Sequence, residues 1–285
     1  MSTSISPLLR IQDLQEAFKH GAEQIVLLDC SYDLAQAERG QQLYQQGHLA
    51  GALYVDLHHD LAAARTAKSG RHPLPSKEQF IQRLRQLGVN QDSWVIAYDN
   101  ANGMYAARLW WMLGWVGHSK RSVLDGHMQA WQHAGLEVNA EPVSMPLAGD
   151  IQLRPSLHKT VDYQTVLDDV GVGQWQLIDA RNAERFRGQN ETMDPKAGHI
   201  PGAKNRFFMQ NLDEQGCFKT AEQLHAEWSA LLAGRPVEQI VNQCGSGVTA
   251  CHNLLALEVA GLSGSLLYPG SWSEWSQHDE APVAV

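Results

Sequence analysis

Along this chain, short apolar runs rich in β-branched and aliphatic residues alternate with longer stretches whose apolar positions recur every three to four residues. Ile25-Val26-Leu27-Leu28-Asp29, Trp94-Val95-Ile96-Ala97-Tyr98-Asp99, Gln176-Leu177-Ile178-Asp179 and Ile240-Val241-Asn242-Gln243 belong to the first kind. Their apolar residues run together rather than alternate, as in strands covered on both faces. Helical spacing predicts helices over residues 11–20, 77–87, 106–115 and 127–134, then over 162–169, 221–232, 249–260 and 271–277. Strands separated by helices predict an α/β fold whose sheets are mostly parallel, because a parallel neighbour needs a crossover of about a dozen residues or more.

The same pattern occurs twice. The strand ending in Asp29 matches the strand ending in Asp179, and Gly47-His48-Leu49-Ala50-Gly51-Ala52 matches Gly198-His199-Ile200-Pro201-Gly202-Ala203. The strand running into Asp99 matches the strand running into Cys244. Val123-Leu124-Asp125-Gly126 matches Leu266-Leu267-Tyr268-Pro269-Gly270, each with a tryptophan, Trp131 or Trp275, five residues beyond its glycine. Four matches in the same order indicate two tandem α/β domains. The expected division is a first domain over 1–140, a linker over 141–157 that holds Pro142, Pro146 and Pro155 in an irregular pattern, and a second domain over 158–285. Composition agrees with two folded domains: 285 residues, 44% of them hydrophobic. A net charge of −9 argues against nucleic acid as a partner. No apolar run approaches the roughly 18 residues of a membrane span, and residues 1–10 lack a secretory signal's apolar core. The four cysteines, Cys30, Cys217, Cys244 and Cys251, are irregularly spaced with no Cys-x-x-Cys, which fits a reducing, cytoplasmic setting.

The second repeat carries the chemistry. In Cys244-Gly245-Ser246-Gly247-Val248-Thr249 a strand ends at a thiol, a glycine-rich turn follows, and a helix begins. Ligands of open α/β sheets bind at such strand ends. Backbone N–H groups curled around a turn and capped by a helix N-terminus stabilise negative charge, so the loop suits an anionic sulfur nucleophile with a lowered pKa. A cysteine phosphatase would also need an arginine six residues after its cysteine to clamp phosphate, and Ala250 stands there. Asp99 occupies the matching place in the first repeat. A carboxylate cannot carry a transferable sulfur atom, so the first repeat is expected to be a scaffold forming one wall of a cleft.

The Cys244-to-Thr249 loop resembles that of the 3-mercaptopyruvate sulfurtransferases, two-domain members of the rhodanese superfamily, and the resemblance extends over nearly the whole chain. The related thiosulfate enzymes typically carry Cys-Arg-Lys-Gly-Val-Thr at this place. The resemblance implies two rhodanese-like domains, the first degenerate. It implies transfer of sulfur from a small anionic donor to a thiol, a thioredoxin-like protein or cyanide through a persulfide on Cys244, with no cofactor and no metal. The amides of Gly245, Ser246, Gly247, Val248 and Thr249 would cradle the anionic sulfur. It maps Arg185, in Arg185-Phe186-Arg187-Gly188, onto an arginine that holds the donor carboxylate, a task suited to a planar guanidinium. It also maps His72, in Gly70-Arg71-His72-Pro73, onto a histidine that works with Ser246, and histidine exchanges protons well near neutral pH. An acidic partner for His72 is expected near Asp56-Leu57-His58 or at Asp60, and Tyr105 matches an aromatic near the substrate.

In one respect the sequence departs from this pattern. The segment 189–197 is short and lacks the second substrate-binding arginine of the mercaptopyruvate enzymes, which leaves Lys196 as a substitute point charge. Thiosulfate as donor, or a sulfur-carrier module with no small-donor site, are the alternatives. His48 and His199 are read as structural because both repeats have one. Adjacent His58 and His59 point apart on an extended chain and do not chelate readily. Cys251, two helical turns past Cys244, is read as core.

Overall fold

The computed structural model describes residues 5–19 and 24–285. His20, the last residue of the helix expected over 11–20, lies outside them, as do the first four residues. The chain forms two compact units. The first comprises Met1–Ala62, Pro75–Leu157 and Glu214–Cys217, and the second comprises Ala63–Leu74, His158–Asp213 and Phe218–Val285.

This division differs from the expected one at three places: residues 141–157 and Glu214–Cys217 fall in the first unit, and Ala63–Leu74 falls in the second. Residues 149–157 are hydrogen-bonded along the first unit: Gly149 N–H donates to Arg85 O (2.8 Å), Arg154 N–H to Val116 O (3.0 Å) and Leu157 N–H to Gly114 O (2.9 Å). Pro155, one of the three prolines of the expected linker, thus lies in a strap bonded to the first unit. Conversely, Ala63–Leu74 leaves the first unit and is bonded into the second, where Arg71 N–H donates to Ser273 Oγ (2.9 Å) and the Gln277 side-chain amide donates to Ser69 O (2.9 Å).

In the first unit, β1 (Leu8–Leu9), α1 (Ile11–Lys19), β2 (Ile25–Asp29), α2 (Glu38–Gln46), β3 (His48–Leu49), β4 (Leu53–Tyr54), α3 (Lys77–Gln86), β5 (Trp94–Tyr98), α4 (Ala106–Trp115), β6 (Arg121–Leu124), α5 (Met128–His133) and β7 (Val138–Asn139) follow in order. Its main sheet has the order β1-β6-β5-β2-β4, all parallel. Helix α4 is buried on every side from Ala106 to Gly114, which is why its apolar residues do not form a stripe. In the second unit come α6 (Tyr163–Asp169), β8 (Gln176–Asp179), α7 (Ala183–Phe186), β9 (Lys204–Asn205), α8 (Ala221–Leu232), β10 (Ile240–Gln243), α9 (Thr249–Val259), β11 (Leu266–Leu267) and α10 (Ser271–Trp275). The parallel sheet β11-β10-β8-β9 places β10 in its interior. No helix among the described residues is long and apolar enough to cross a membrane.

The two units reuse the same small devices. His48 sits 2.8 Å from Tyr44 O and stacks on the Tyr44 ring, and His199 sits 2.7 Å from Phe186 O and stacks on the Phe186 ring. Each histidine therefore ties a helix end to the turn that follows it. Trp131 and Trp275, both fully buried, each donate an indole N–H to a backbone carbonyl at 2.9 Å, of Asp125 and Pro282 respectively.

They differ at the loop after the central strand. Past β5, the buried Asp99 carboxylate accepts four backbone N–H groups: Ala101 (2.7 Å) and Gly103 (2.9 Å) on one oxygen, Tyr105 (2.7 Å) and Ala106 (2.7 Å) on the other. Burial pushes the Asp99 carboxyl up, and these four donors oppose that shift. An asparagine would present its NH₂ to two of the four donors. Asp99→Asn is therefore expected to lower the stability of the protein by about 1–3 kcal/mol in urea unfolding. An unchanged or raised midpoint would show that the cost of burying the charge outweighs the four bonds.

Asp29, at the end of β2, is fully buried and accepts Ser31 N–H at 2.8 Å. Burial raises its carboxyl from 3.8 to about 6. The folded state thus keeps a proton that the unfolded chain releases above about pH 4. This group's contribution is present below that pH and is lost as pH rises through about 6. The difference amounts to about 3 kcal/mol at 1.36 kcal/mol per pH unit. Asp29→Asn should raise the melting temperature at pH 7.5 and give no gain near pH 4. Equal shifts at both pH values would refute this.

Candidate active site

Cys244 follows β10 directly, at the carboxyl end of an interior parallel strand. Its backbone is held from the far side by α10. Cys244 N–H donates to Ser271 Oγ (3.1 Å), whose hydroxyl donates to Tyr268 O (2.9 Å). Trp272 N–H donates to Cys244 O (3.0 Å), and Ser273 N–H donates to Gly245 O (2.8 Å). Ser271 adopts φ +55° to make these contacts, an uncommon conformation for a residue with a side chain. Gly247 adopts φ +76°, and a Cβ on it would lie 2.4 Å from Pro269 O. Both the turn and the close approach therefore require glycine there. Helix α9 starts at Thr249, so the partial positive charge of its N-terminus lies against the loop.

Among the described residues, the N–H groups of Gly245, Ser246, Val248 and Thr249 donate to no protein acceptor. The first unit's loop supplies its own acceptor in Asp99. The second unit's loop is built of the same donors with a thiol where that carboxylate stands. Cys244 and Ser246 are buried, as are Gly245, Gly247 and Val248, while Thr249 is half-buried.

His72 and Ser246 meet as the sequence reading anticipated: His72 Nδ1 is 2.8 Å from Ser246 Oγ, and both are buried. The histidine arrives on the Ala63–Leu74 strap. Gly70 lets that strap lie against α10, since a Cβ there would be 2.5 Å from Gly270 O. Asp56 and Asp60, the expected acidic partners, both serve the first unit. Asp56 accepts the backbone N–H groups of His58 and His59, each at 2.8 Å, and Asp60 pairs with Arg83 at 2.7 Å. His58 lies 2.8 Å from the Tyr32 hydroxyl and His59 lies against Asp56, so the two histidines do not share a site. Tyr105 is buried with its ring edge-on to Tyr32. Cys251 is fully buried, with its thiol 3.4 Å from Gly247 O.

Arg185 does lie at the loop, but not as a free clamp. Its Nε donates to Glu191 (3.0 Å), and its Nη2 donates to Glu191 (3.0 Å) and to Asp194 (2.9 Å). Its Nη1 is 3.6 Å from the point a Gly245 Cβ would occupy. Lys196 does not substitute for a missing arginine. Its ammonium donates to the carbonyls of His278 (2.6 Å) and Asp279 (3.4 Å), because the chain beyond α10 leaves those acceptors bare. The cation the sequence reading passed over is Arg71, whose Nη2 is 2.8 Å from the same Gly245 point and whose Nη1 pairs with Asp194. The only sequence signal for it was its place next to His72. Burial works against the charge on Glu191, but the Met193 N–H and the Arg185 guanidinium hold it below the usual carboxylate range. Burial lifts Asp194 above that range, with Arg71 and Arg185 pulling the other way.

The geometry defines a class: a tandem α/β protein with a glycine-rich cysteine loop of open backbone N–H groups at the end of an interior strand. Residues 11–134 and 162–278 each match the rhodanese-like domain family. The chain belongs to that family. It is 44% identical over 287 aligned residues to a protein of Pseudomonas aeruginosa named "Probable 3-mercaptopyruvate sulfurtransferase", covering 99% of each chain. It is also 33% identical to a thiosulfate sulfurtransferase of Cricetulus griseus, covering 87% of this chain and 84% of that one. Among solved structures, it is similar to the 3-mercaptopyruvate sulfurtransferase SseA of Escherichia coli, with TM-score 0.79 and 33% identity over 94% of this chain and 99% of that one.

Gly247→Ala tests the loop's construction. It should destabilise the protein by more than about 1 kcal/mol, since it adds backbone strain to a backbone clash. Gly245→Ala, whose Cβ meets only the ends of two arginine side chains, should cost less. Equal losses in thermal unfolding would contradict this account.

Proposed function

We propose that this protein is a sulfurtransferase that takes sulfur from 3-mercaptopyruvate and passes it to a thiol through a persulfide on Cys244. The observation that carries this reading is the unfilled set of amides at Gly245, Ser246, Val248 and Thr249, placed where Asp99 fills its own loop in the first unit. The Cys244 thiolate attacks the donor sulfur, the carbon–sulfur bond breaks with its electrons passing to the pyruvate enolate, and a sulfur–sulfur bond forms. The amides and the α9 N-terminus stabilise the anionic sulfur. Ser246, backed by His72, delivers the proton that converts the enolate to pyruvate. An acceptor thiolate, free or on a thioredoxin-like protein, then attacks the outer sulfur and restores the Cys244 thiolate. A covalent intermediate between two half-reactions gives ping-pong kinetics. No step requires a metal or an organic cofactor.

Thiosulfate as the donor is the second reading, favoured by similarity to a chain named for that activity. Against it, the loop has no cation of its own: Gly245 and Ser246 stand beside the nucleophile. The other thiols fit the carrier role less well. Burial, with Asp99 and Asp29 nearby, pushes the Cys30 thiol well up, so it stays protonated.

The test is donor kinetics together with the site of the adduct. Mercaptopyruvate should give the higher kcat/KM against a common thiol acceptor. Donor-treated protein should gain one sulfur atom, roughly 32 Da, on the Cys244 peptide. A higher kcat/KM for thiosulfate would reverse the choice of donor. A first adduct on Cys30, Cys217 or Cys251 would overturn the assignment of the nucleophile.

A further inference from the structure

The segment between Arg185 and Gly198 has no second arginine, yet two guanidiniums converge on the loop. Arg71 Nη2 and Arg185 Nη1 lie 2.8 and 3.6 Å from a single point, the place a Cβ of Gly245 would take, one residue from the nucleophile. We propose that Arg71, carried in on the Ala63–Leu74 strap, is the second donor-binding guanidinium of this site, and that Asp194 positions it against Arg185. The inference rests on the sulfurtransferase reading above.

Three features support it. The first is how the nitrogens are used. Arg185 gives Nε and Nη2 to Glu191 and Asp194 and turns Nη1 toward Gly245, while Arg71 gives Nη1 to Asp194 and turns Nη2 to the same place. One nitrogen from each side chain therefore faces a common point, an arrangement that matches the two oxygens of a carboxylate. The second is rigidity. The Asp194 side chain is only 2% exposed and joins both guanidiniums, so neither can swing away without breaking a buried ion pair. The third is register. Arg71 N–H is bonded to Ser273 and the next residue, His72, to Ser246, so the strap enters at a fixed position along the loop. Gly245 is the residue whose missing side chain leaves room for the guanidinium ends.

The test compares Arg71→Gln and Arg71→Lys with the unaltered protein, using mercaptopyruvate as donor and pyruvate as a product inhibitor that shares its carboxylate. Arg71→Gln should raise KM for mercaptopyruvate and Ki for pyruvate together, by roughly ten- to a hundredfold, with kcat falling much less. Arg71→Lys keeps the charge without the fork and should fall between the two. KM and Ki within twofold of the unaltered values in both variants would overturn the inference. So would a collapse of kcat at unchanged KM and Ki, because that is what a residue serving only to place His72 would show. If Arg71→Gln does not fold, Arg71→Lys alone decides: a threefold or larger rise in both constants supports the role, and no rise refutes it. Failure of the unaltered protein to turn over mercaptopyruvate at all would instead overturn the functional reading.

Discussion

A ring of backbone N–H groups at the start of a helix, buried and in need of an anion, is the constraint on which the rest of this molecule depends. Unpaired buried donors cost free energy comparable to a lost hydrogen bond. The chain meets that cost in two ways. In the first unit Asp99 turns back and takes four donors, so the loop is complete without a ligand. In the second unit a thiol stands in the same place, and among the described residues its loop's N–H groups at 245, 246, 248 and 249 donate to no protein acceptor. One repeat is thus closed by its own side chain, and the other is left for chemistry. The supports around the second loop, Ser271 in an uncommon conformation and Gly247 against Pro269, hold that arrangement in place.

Much of the fold was legible in the sequence because it rests on local rules. The strands ending at Asp29, Asp99, Asp179 and Cys244 lie within a residue of their expected places, and so do most helix starts, because apolar runs and periodicity report burial directly. Helix α2 was not legible. Its sequence, Glu-Arg-Gly-Gln-Gln-Leu-Tyr-Gln-Gln, has almost no apolar stripe, and it contains Gly40 because a Cβ there would meet Ser31 O at 2.2 Å. Short β1 and α7 gave too few residues for any period to register.

The site was legible only where one residue type names its own chemistry. Cys244 and Ser246 are candidates from the loop itself, and the resemblance adds His72, which the fold brings to 2.8 Å from Ser246. The pairing of Arg71 with Asp194 joins residues 123 positions apart, and no spacing rule connects 71 to 194. Lys196 illustrates the converse error. A cation at a plausible position in the sequence was read as a ligand group, while in the fold two bare carbonyls beyond α10 claim its ammonium. Prolines signal that a segment is irregular, and irregular backbone can still be bonded to its own unit, as residues 149–157 are.

The acids beside the arginines then bear on what the site can select. Arg71, Arg181 and Arg185 are matched by Asp179, Glu191 and Asp194, so the cluster carries no excess positive charge. A site of that kind does not attract anions by net charge; it recognises them by where the remaining N–H groups point. A compact dianion gains most from uncompensated cations packed around it, and here each guanidinium is already half spent on a buried carboxylate. A carboxylate linked by two carbons to its sulfur can use the outward nitrogens at Gly245 while its sulfur meets Cys244 and the open amides. Neutralising the arginines therefore weakens the hold on any anion and weakens it more for a dianion than for a monoanion.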